Sequence, residues 1–276
     1  MALIQNSKFR IQNSYVAAPL VAVALVGLVA TMLYVREQAE KVLCTNIRVA
    51  IVDSSFNRFV KKEDIPAIFR RSGLSYFGKK VGEISTMEME KALAKRSLIR
   101  RAEVYTTADG TLHVNVEQRR PIVRVYAQNG QNFYIDNEGF IIQPYSSYTS
   151  NVPIASGHIK SPFGGGFTGS MLAFFEEKKK SDTLLCQLYN FASYISKSSF
   201  WQAQVEQIYL TAQGKVELVP RVGAQIIRMG TFENFEYKLH KLEVMYEKGM
   251  AHSGWNAYEV VDLSFGRQVV CKRRKT

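Results

Sequence analysis

The sequence predicts an α+β protein with three parts: a single N-terminal transmembrane helix, a β-α-α-β-β domain, and a mixed α/β domain built on an antiparallel sheet. Three observations lead to this prediction. The run Tyr15–Val35 carries no charged residue. Residues 47–117 show three strand-like patterns and two helix-like patterns. Beyond Pro121, short strand patterns alternate with turn signals and a few helical stretches.

The charge-free run Tyr15–Val35 is long enough to cross a membrane. A helix rises ~1.5 Å per residue, and the hydrocarbon core is ~30 Å thick. A buried helix of a soluble protein would show a polar stripe, which this run lacks. A cleaved signal peptide has a shorter apolar region that ends in small residues, whereas this run ends in Met32-Leu33-Tyr34-Val35. We therefore expect an uncleaved membrane anchor.

The flanking charges leave the direction of this anchor open. Lys8 and Arg10 precede the run, and Arg36 and Lys41 follow it. Only lysine and arginine count in the positive-inside rule. The near balance gives a small preference for a cytoplasmic N-terminus and an exported body.

The first folded segment has the clearest local patterns. Ile47–Val52 is rich in β-branched residues and predicts a strand. Ser85 and Glu88 have the spacing of a capping box at the start of a helix. Asp109-Gly110 predicts a tight turn between two further strands, 101–107 and 111–117.

The remaining chain predicts a sheet with helices inserted along it. We expect a last helix over Phe232–Glu247, with Thr231 as its N-cap, and a final strand over Tyr258–Phe265. Gln268–Cys271 and a basic tail follow. Such a tail is typically a solvated, disordered end.

Composition and motifs point away from catalysis. The histidines lack metal-ligand spacing, the glycine run at 164–166 is not a phosphate-binding loop, and no nucleophile elbow is present. The three cysteines, Cys44, Cys186 and Cys271, form no disulfide or zinc pattern. We expect no enzyme activity, no cofactor and no metal. The net charge of +12 fits either a solvated basic surface or contact with anionic lipids or an acidic partner. No nucleic-acid-binding module is visible.

The strand Tyr258–Phe265 is the best candidate for an interaction site. Val261, Leu263 and Phe265 alternate with polar residues. A strand near a free terminus often lies at the edge of a sheet, where its unpaired backbone groups can accept a partner strand. The alternative is an ordinary strand packed within the sheet.

The order of these parts resembles the FtsQ/DivIB family of bacterial cell-division proteins, and the β-α-α-β-β unit resembles a POTRA domain. Four stretches carry the resemblance. Thr111–Pro121 is similar to the family's strand that ends in Glu shortly before Pro, and Phe133–Phe140 to its y-i-D-x-x-G hairpin. Val152–Gly157 is similar to l-P-x-l-x-G, and Val261–Arg267 to the V-D-L-R-Y stretch before a glycine turn. Ser264 and Phe265 depart from the last pattern, because the family usually has Arg and Tyr there.

The resemblance implies a non-catalytic scaffold of the divisome that links early and late division proteins. It implies that an FtsB-like and FtsL-like pair binds by strand addition beside the last strand, and that the POTRA domain contacts other division proteins. It also implies an inner-membrane location at the division site, with a cytoplasmic N-terminus and a periplasmic body. The implied partner-binding residues are Tyr258, Val260, Val261, Asp262, Ser264, Phe265 and Arg267.

The expected domains follow from the same reading. They are a cytoplasmic tail at 1–14, the transmembrane helix at 15–35, a juxtamembrane stalk at 36–44, the POTRA domain at 45–118, the β domain at 119–271 and a basic tail at 272–276. Two other functions stay open at this point. One is an export or chaperone factor that bears a POTRA domain, and the other is a membrane-tethered basic protein that binds nucleic acid or lipid.

Overall fold

A computed structural model describes residues 12–52, 59–145, 148–180 and 183–275. Within these ranges the chain forms two compact units. The first contains the described residues up to Ile51, together with Lys62–Ala94 and Ala102–Val116. The second contains Val52, residues 59–61, Lys95–Arg101 and the described residues from Glu117 onward.

The first unit begins with helix α1, Gln12–Glu40. Within the described residues α1 is the one helix that is long and apolar enough to cross a membrane, over Pro19–Glu37, and none of that stretch is buried. The helix has no polar side because apolar residues surround its axis, as expected of a helix whose whole surface faces lipid. It includes the predicted anchor and continues through most of the predicted stalk.

The β-α-α-β-β order of the first unit is confirmed. Strand β1 (Asn46–Ile51) is followed by helices α2 (Asp64–Arg71) and α3 (Thr86–Ala94), and then by strands β2 (Ile99–Thr106) and β3 (Thr111–Gln118). The sheet order is β1-β3-β2, with β1 parallel to β3.

The core of this unit follows from the sequence pattern. Leu112, Val114 and Val116 alternate along β3 and are fully buried. Met89 and Leu93 lie four residues apart on α3, so they share one helix face and are buried together. Gly110 adopts a φ of +80° in the predicted turn, and a side chain there would collide with the backbone of Leu43.

The second unit is a ten-stranded sheet with helices packed against it. Its strand order is β13-β12-β11-β10-β9-β7-β4-β5-β6-β8. The strands are β4 (Pro121–Tyr126), β5 (Asn132–Asp136), β6 (Phe140–Ile142), β7 (Ile154–Gly157), β8 (Gly169–Ser170), β9 (Val205–Leu210), β10 (Val216–Pro220), β11 (Ile226–Gly230), β12 (Tyr258–Asp262) and β13 (Val270–Arg273). Most pairings are antiparallel, while β4–β7, β7–β9 and β11–β12 are parallel.

Among the described residues this unit has five α-helices, and the first three of them start at hydroxyl caps. The five helices are α4 (Met171–Glu177), α5 (Leu184–Ser196), α6 (Ser199–Gln204), α7 (Phe235–Val244) and α8 (Ala251–Ser253). Ser170, Thr183 and Ser198 each accept a hydrogen bond from a backbone N–H in the first turn of α4, α5 and α6.

The last helical segment differs from its prediction. Thr231 does not cap it, because α7 begins four residues later, after Asn234 in a left-handed conformation. The helix then continues as a π-helical segment, Met245–Met250, into α8. The buried side chains of Leu239, Leu242, Tyr246 and Met250 hold this longer segment on the sheet, so tertiary packing extends the helical segment beyond the predicted end at Glu247.

The hairpin between β5 and β6 is organised by a buried carboxylate. Asp136 is fully buried and accepts hydrogen bonds from the backbone N–H groups of Glu138 and Phe140. Arg119 donates to its second oxygen at 2.8 Å, and the same guanidinium lies 3.5 Å from the centre of the Phe140 ring. One side chain therefore fixes the turn and holds it against the residues before β4.

Asp136→Ala is expected to lower the free energy of unfolding by about 3 kcal/mol, because it leaves the Arg119 charge without its buried partner. Denaturant unfolding of the full chain in detergent measures this loss. Glu206→Ala is the matched control. It removes an ion pair with Arg221 that is similarly short, at 2.7 Å, but exposed, so it should cost less than about 1 kcal/mol. Equal losses for both variants would refute the special role of Asp136.

Candidate functional site

The predicted interaction strand does not lie at the edge of the sheet. β12 pairs on one side with β11, where Val260 and Val261 face Ile226 and Ile227. On the other side it pairs with β13, whose Lys272 and Cys271 face the same two valines. The expectation that Tyr258–Phe265 forms the edge strand is therefore wrong, because the chain's own last strand covers it.

The predicted site residues fall into two groups. Val260 and Val261 are buried, and Tyr258 packs against the hydrophobic core. Ser264, Phe265 and Arg267 lie in the turn that joins β12 to β13 and are exposed. The structure thus brings the seven residues into one region but presents only its turn to solvent.

Asp262 starts that turn. Its Oδ1 accepts hydrogen bonds from the Ser264 backbone N–H at 2.9 Å and from the Ser264 hydroxyl at 2.6 Å. This arrangement is a local side-chain turn, which ends the strand three residues earlier than the apolar alternation predicts. The Phe265 side chain, 46% exposed, points away from the core that buries Leu263.

Lys241 on α7 holds the same turn from the side of the helices. Its ammonium donates to the carbonyl oxygens of Leu263 at 3.0 Å and Phe265 at 2.5 Å, and lies near those of Gly266 and Gln268 at 3.5 and 3.4 Å. Burial lowers the pKa of Lys241, and the nearby Asp262 opposes that shift. We call this set of contacts the Lys241 clamp.

Ionic and backbone contacts fasten the C-terminal end of β13 to β12 and to the residues just before β12 and β11. Lys272 forms a cross-strand ion pair of 2.9 Å with Glu259, and this contact lowers the pKa of the Glu259 carboxyl. Because the folded-state pKa is lowered, the contact is present above the usual glutamate range and is lost as the pH falls through that lowered value. The Arg274 backbone N–H donates to the Ala257 carbonyl, and the Arg274 guanidinium donates to the Ala224 carbonyl. The prediction of a free basic tail therefore fails for Lys272, Arg273 and Arg274.

The outer side of β13 is the open edge of the sheet at this end. The Arg274 N–H points towards β12, and the backbone of an antiparallel strand alternates its direction at each residue. The backbone N–H and C=O groups of Lys272 and Val270 therefore also face β12, whereas those of Cys271 and Arg273 face outward. Cys271 is half-buried by its side chain, and that burial raises the pKa of its thiol.

A groove of about 470 Å³ lies beside the turn. Tyr237, Lys238 and Lys241 of α7 line one side, and Ser264, Phe265 and Gly266 line the other. Tyr237 and Phe265 are the exposed aromatic residues of this groove. The region thus combines an open strand edge, two exposed aromatic rings and a basic rim.

The groups at this site are those of a binding surface. Across the described ranges, no group of three or more His, Cys, Asp or Glu residues is placed to hold a metal ion. Cys44, Cys186 and Cys271 are free thiols. What the region offers is a surface for another chain: backbone donors and acceptors with apolar and basic side chains around them.

Sequence reasoning missed three parts of this site. Lys241 lies more than twenty residues before the carbonyl groups that it contacts, so no local pattern connects them. The sequence pattern indicates only that Glu259 is a solvent-facing residue of β12. β13 itself has four residues, and two of them belong to the predicted basic tail. Its signal was the apolar run Val269-Val270-Cys271 directly before the charges.

Comparisons with known proteins agree with the architecture. The family model described as FtsQ/DivIB, C-terminal related, matches residues 120–272. The model of a POTRA-like domain matches residues 42–117. No curated protein matches the chain. The two matched regions together cover both sheets and end within β13.

Lys241→Met is expected to loosen β13. The substitution keeps most of the apolar stem but removes the charge that several carbonyl groups share, and one such bond is worth roughly 1.5–3 kcal/mol. Hydrogen exchange of the Arg274 amide should therefore become at least about tenfold faster in the full chain. Lys238→Met is the matched control on the same helix, since the Lys238 ammonium donates to the Thr231 carbonyl at 2.8 Å instead of to the carbonyls of the β12–β13 turn. An unchanged exchange rate in Lys241→Met would refute the clamp.

Proposed function

We propose that this chain is a non-catalytic assembly scaffold of the cell-division machinery. The chain belongs to the FtsQ/DivIB family, because that family's model matches more than half of it. The family's domains suggest a cell-division scaffold. The finer proposal is that the second unit binds an FtsB-like and FtsL-like pair by accepting a strand. The observation that carries it is the open edge of β13.

The proposed docking mode is strand addition to the outer side of β13. An extended partner segment would bond to the outward N–H and C=O groups of Cys271 and Arg273. Short edges of this kind bind through backbone hydrogen bonds and gain specificity from the side chains around them. β13 supports this role because its own attachment to β12 leaves the outer groups free to bond.

The seven predicted site residues take two different roles in this proposal. Ser264, Phe265 and Arg267 would contact the partner directly beside the added strand. Tyr258, Val260, Val261 and Asp262 would act by holding β13 and its turn in place. This division rests on burial, since Val260 and Val261 lack the exposed surface that a direct contact needs.

The charge of the edge favours an acidic partner segment. Lys272, Arg273 and Arg274 lie along β13 and just after it, and Arg267 lies in the turn before it. Opposite charge steers association and fixes register more than it adds affinity. A partner strand that carries Asp or Glu at alternate positions would therefore be the best match.

The remaining parts of the proposal concern location and the first unit. An N-terminal apolar helix and the family fit a single-pass membrane protein at the division site. We propose that its N-terminus is cytoplasmic, that its body is periplasmic and that the POTRA-like unit contacts other division proteins. We also keep the proposed domain limits of 45–118 and 119–271, with the last strand extending the second domain to Arg273.

Arg273→Pro is expected to weaken partner binding at least about tenfold, because proline removes one outward N–H and blocks the approach of the added strand. The fold should be kept, since proline is tolerated on an edge strand where its missing N–H faces solvent. Binding of the FtsB-like and FtsL-like pair to the full chain in detergent, measured by titration, checks this.

Arg273→Ala is the control for that experiment. It removes the same side chain but keeps the backbone donor, so binding should fall by much less. If both variants lose binding equally, the side chain and not the strand edge is responsible. If Arg273→Pro binds as the unchanged chain does, strand addition at β13 is excluded.

A further inference from the structure

Phe77 is unusually exposed for a large apolar residue. Its side chain is 73% exposed, a larger fraction than that of Val23 (71%) in the membrane-spanning helix. It lies in the loop between α2 and a short 3₁₀ helix, Val81–Glu83. We call residues 76–80 the anchor-proximal loop. Transfer of this ring out of water would be favourable, and the residues around it indicate what kind of surface could receive it.

Backbone hydrogen bonds fasten this loop to the residues that directly follow α1. The Gly78 N–H donates to the Cys44 carbonyl at 2.8 Å, and the Cys44 N–H donates to the Lys79 carbonyl at 2.8 Å. The Val81 N–H donates to the Val42 carbonyl at the same distance, and Leu43 forms an isolated β-bridge with Lys80. The loop and the end of the anchor therefore form one rigid piece of the first unit.

The length of α1 beyond its apolar run decides how far this piece lies from the bilayer. The charge-free run ends at Val35, and α1 continues to Glu40, which adds roughly 7.5 Å at ~1.5 Å per residue. The headgroup layer on one side of a bilayer is roughly 5–7 Å thick. Residues 42–44, which hold the loop, thus begin at the outer limit of the headgroup layer.

The chemistry of the loop matches an anionic lipid surface. Between residues 70 and 83 the chain has four basic residues, Arg70, Arg71, Lys79 and Lys80, against one acid, Glu83. Leu43, which is bridged to Lys80, is also exposed. An aromatic ring with basic residues beside it is typical of segments that enter the interface of a bilayer that contains acidic phospholipids.

We propose that the anchor-proximal loop binds the headgroup layer of the same membrane that α1 crosses, with Phe77 inserted between headgroups and Lys79 and Lys80 bound to acidic phospholipids. The first unit would then be held at a fixed height and tilt instead of moving freely on its helix. This proposal rests on α1 crossing a membrane and is independent of the docking proposed at β13.

The test measures the depth of a tryptophan at position 77 in the full chain. Phe77→Trp keeps an interfacial aromatic residue, and the chain is reconstituted into vesicles of phosphatidylcholine and phosphatidylglycerol. Brominated phosphatidylcholine then quenches any tryptophan that enters the bilayer, and the signal of Trp201 and Trp255 is subtracted with the unchanged chain. We expect the signal at position 77 to be quenched, and Lys79→Glu with Lys80→Glu to remove most of that quenching.

Tyr105→Trp is the matched control in the same unit. Tyr105 is an exposed aromatic residue that stacks on His113, and His113 pairs with Arg48, four residues beyond Cys44. At ~3.3 Å per residue this position lies roughly 13 Å further along the strands, so its tryptophan should stay unquenched. Equal quenching at positions 77 and 105, or none at position 77, would overturn the proposal. If the tryptophan at position 77 is not quenched by lipid but its fluorescence changes when a division protein is added, the loop binds a protein partner instead.

Discussion

The end of the sheet depends on one interaction, the bonding of the Lys241 ammonium to the backbone carbonyls of the β12–β13 turn. The carbonyl oxygens of Leu263 and Phe265 converge on one point and repel each other, and the single ammonium offsets that repulsion. The chain can therefore reverse sharply after Leu263 and return as β13. Without that reversal β12 would be the edge, and its unpaired groups would face solvent. The position of the open edge is thus a consequence of a side chain on a helix.

The open edge at β13 instead of β12 changes where a partner strand would pair with the sheet. A partner strand beside β12 would have to compete with a strand of the same chain, which is fastened by Lys272 to Glu259 and by Arg274 to Ala257 and Ala224. A partner strand beside β13 meets free backbone groups and a basic row of side chains. The second arrangement needs no rearrangement of the second unit, and it leaves the exposed Phe265 beside the added strand.

Much of the fold could be predicted because its determinants are local. The alternation along β3 and the turn at Gly110 identify the first sheet, and the charge-free Tyr15–Val35 identifies the anchor. The similarity of Phe133–Phe140 to a family hairpin predicts a turn after Asp136, which the structure has, but the burial of Asp136 against Arg119 depends on packing. The edge could not be predicted, because a four-residue strand that ends in charges reads as a tail. The Lys241 clamp joins residues that are distant in sequence, and no periodicity reveals such a contact.

The most direct test of the central claim compares the full chain with one that ends at Gln268, and measures the affinity of each for the FtsB-like and FtsL-like pair. Removal of β13 takes away the proposed acceptor strand and uncovers β12. Hydrogen exchange of the β9 and β10 amides confirms that the rest of the sheet is kept in the shortened chain. If the partner adds to β13, the shortened chain loses binding. If the shortened chain binds as well as the full chain or more tightly, the partner strand belongs beside β12, and β13 covers that site instead of forming it.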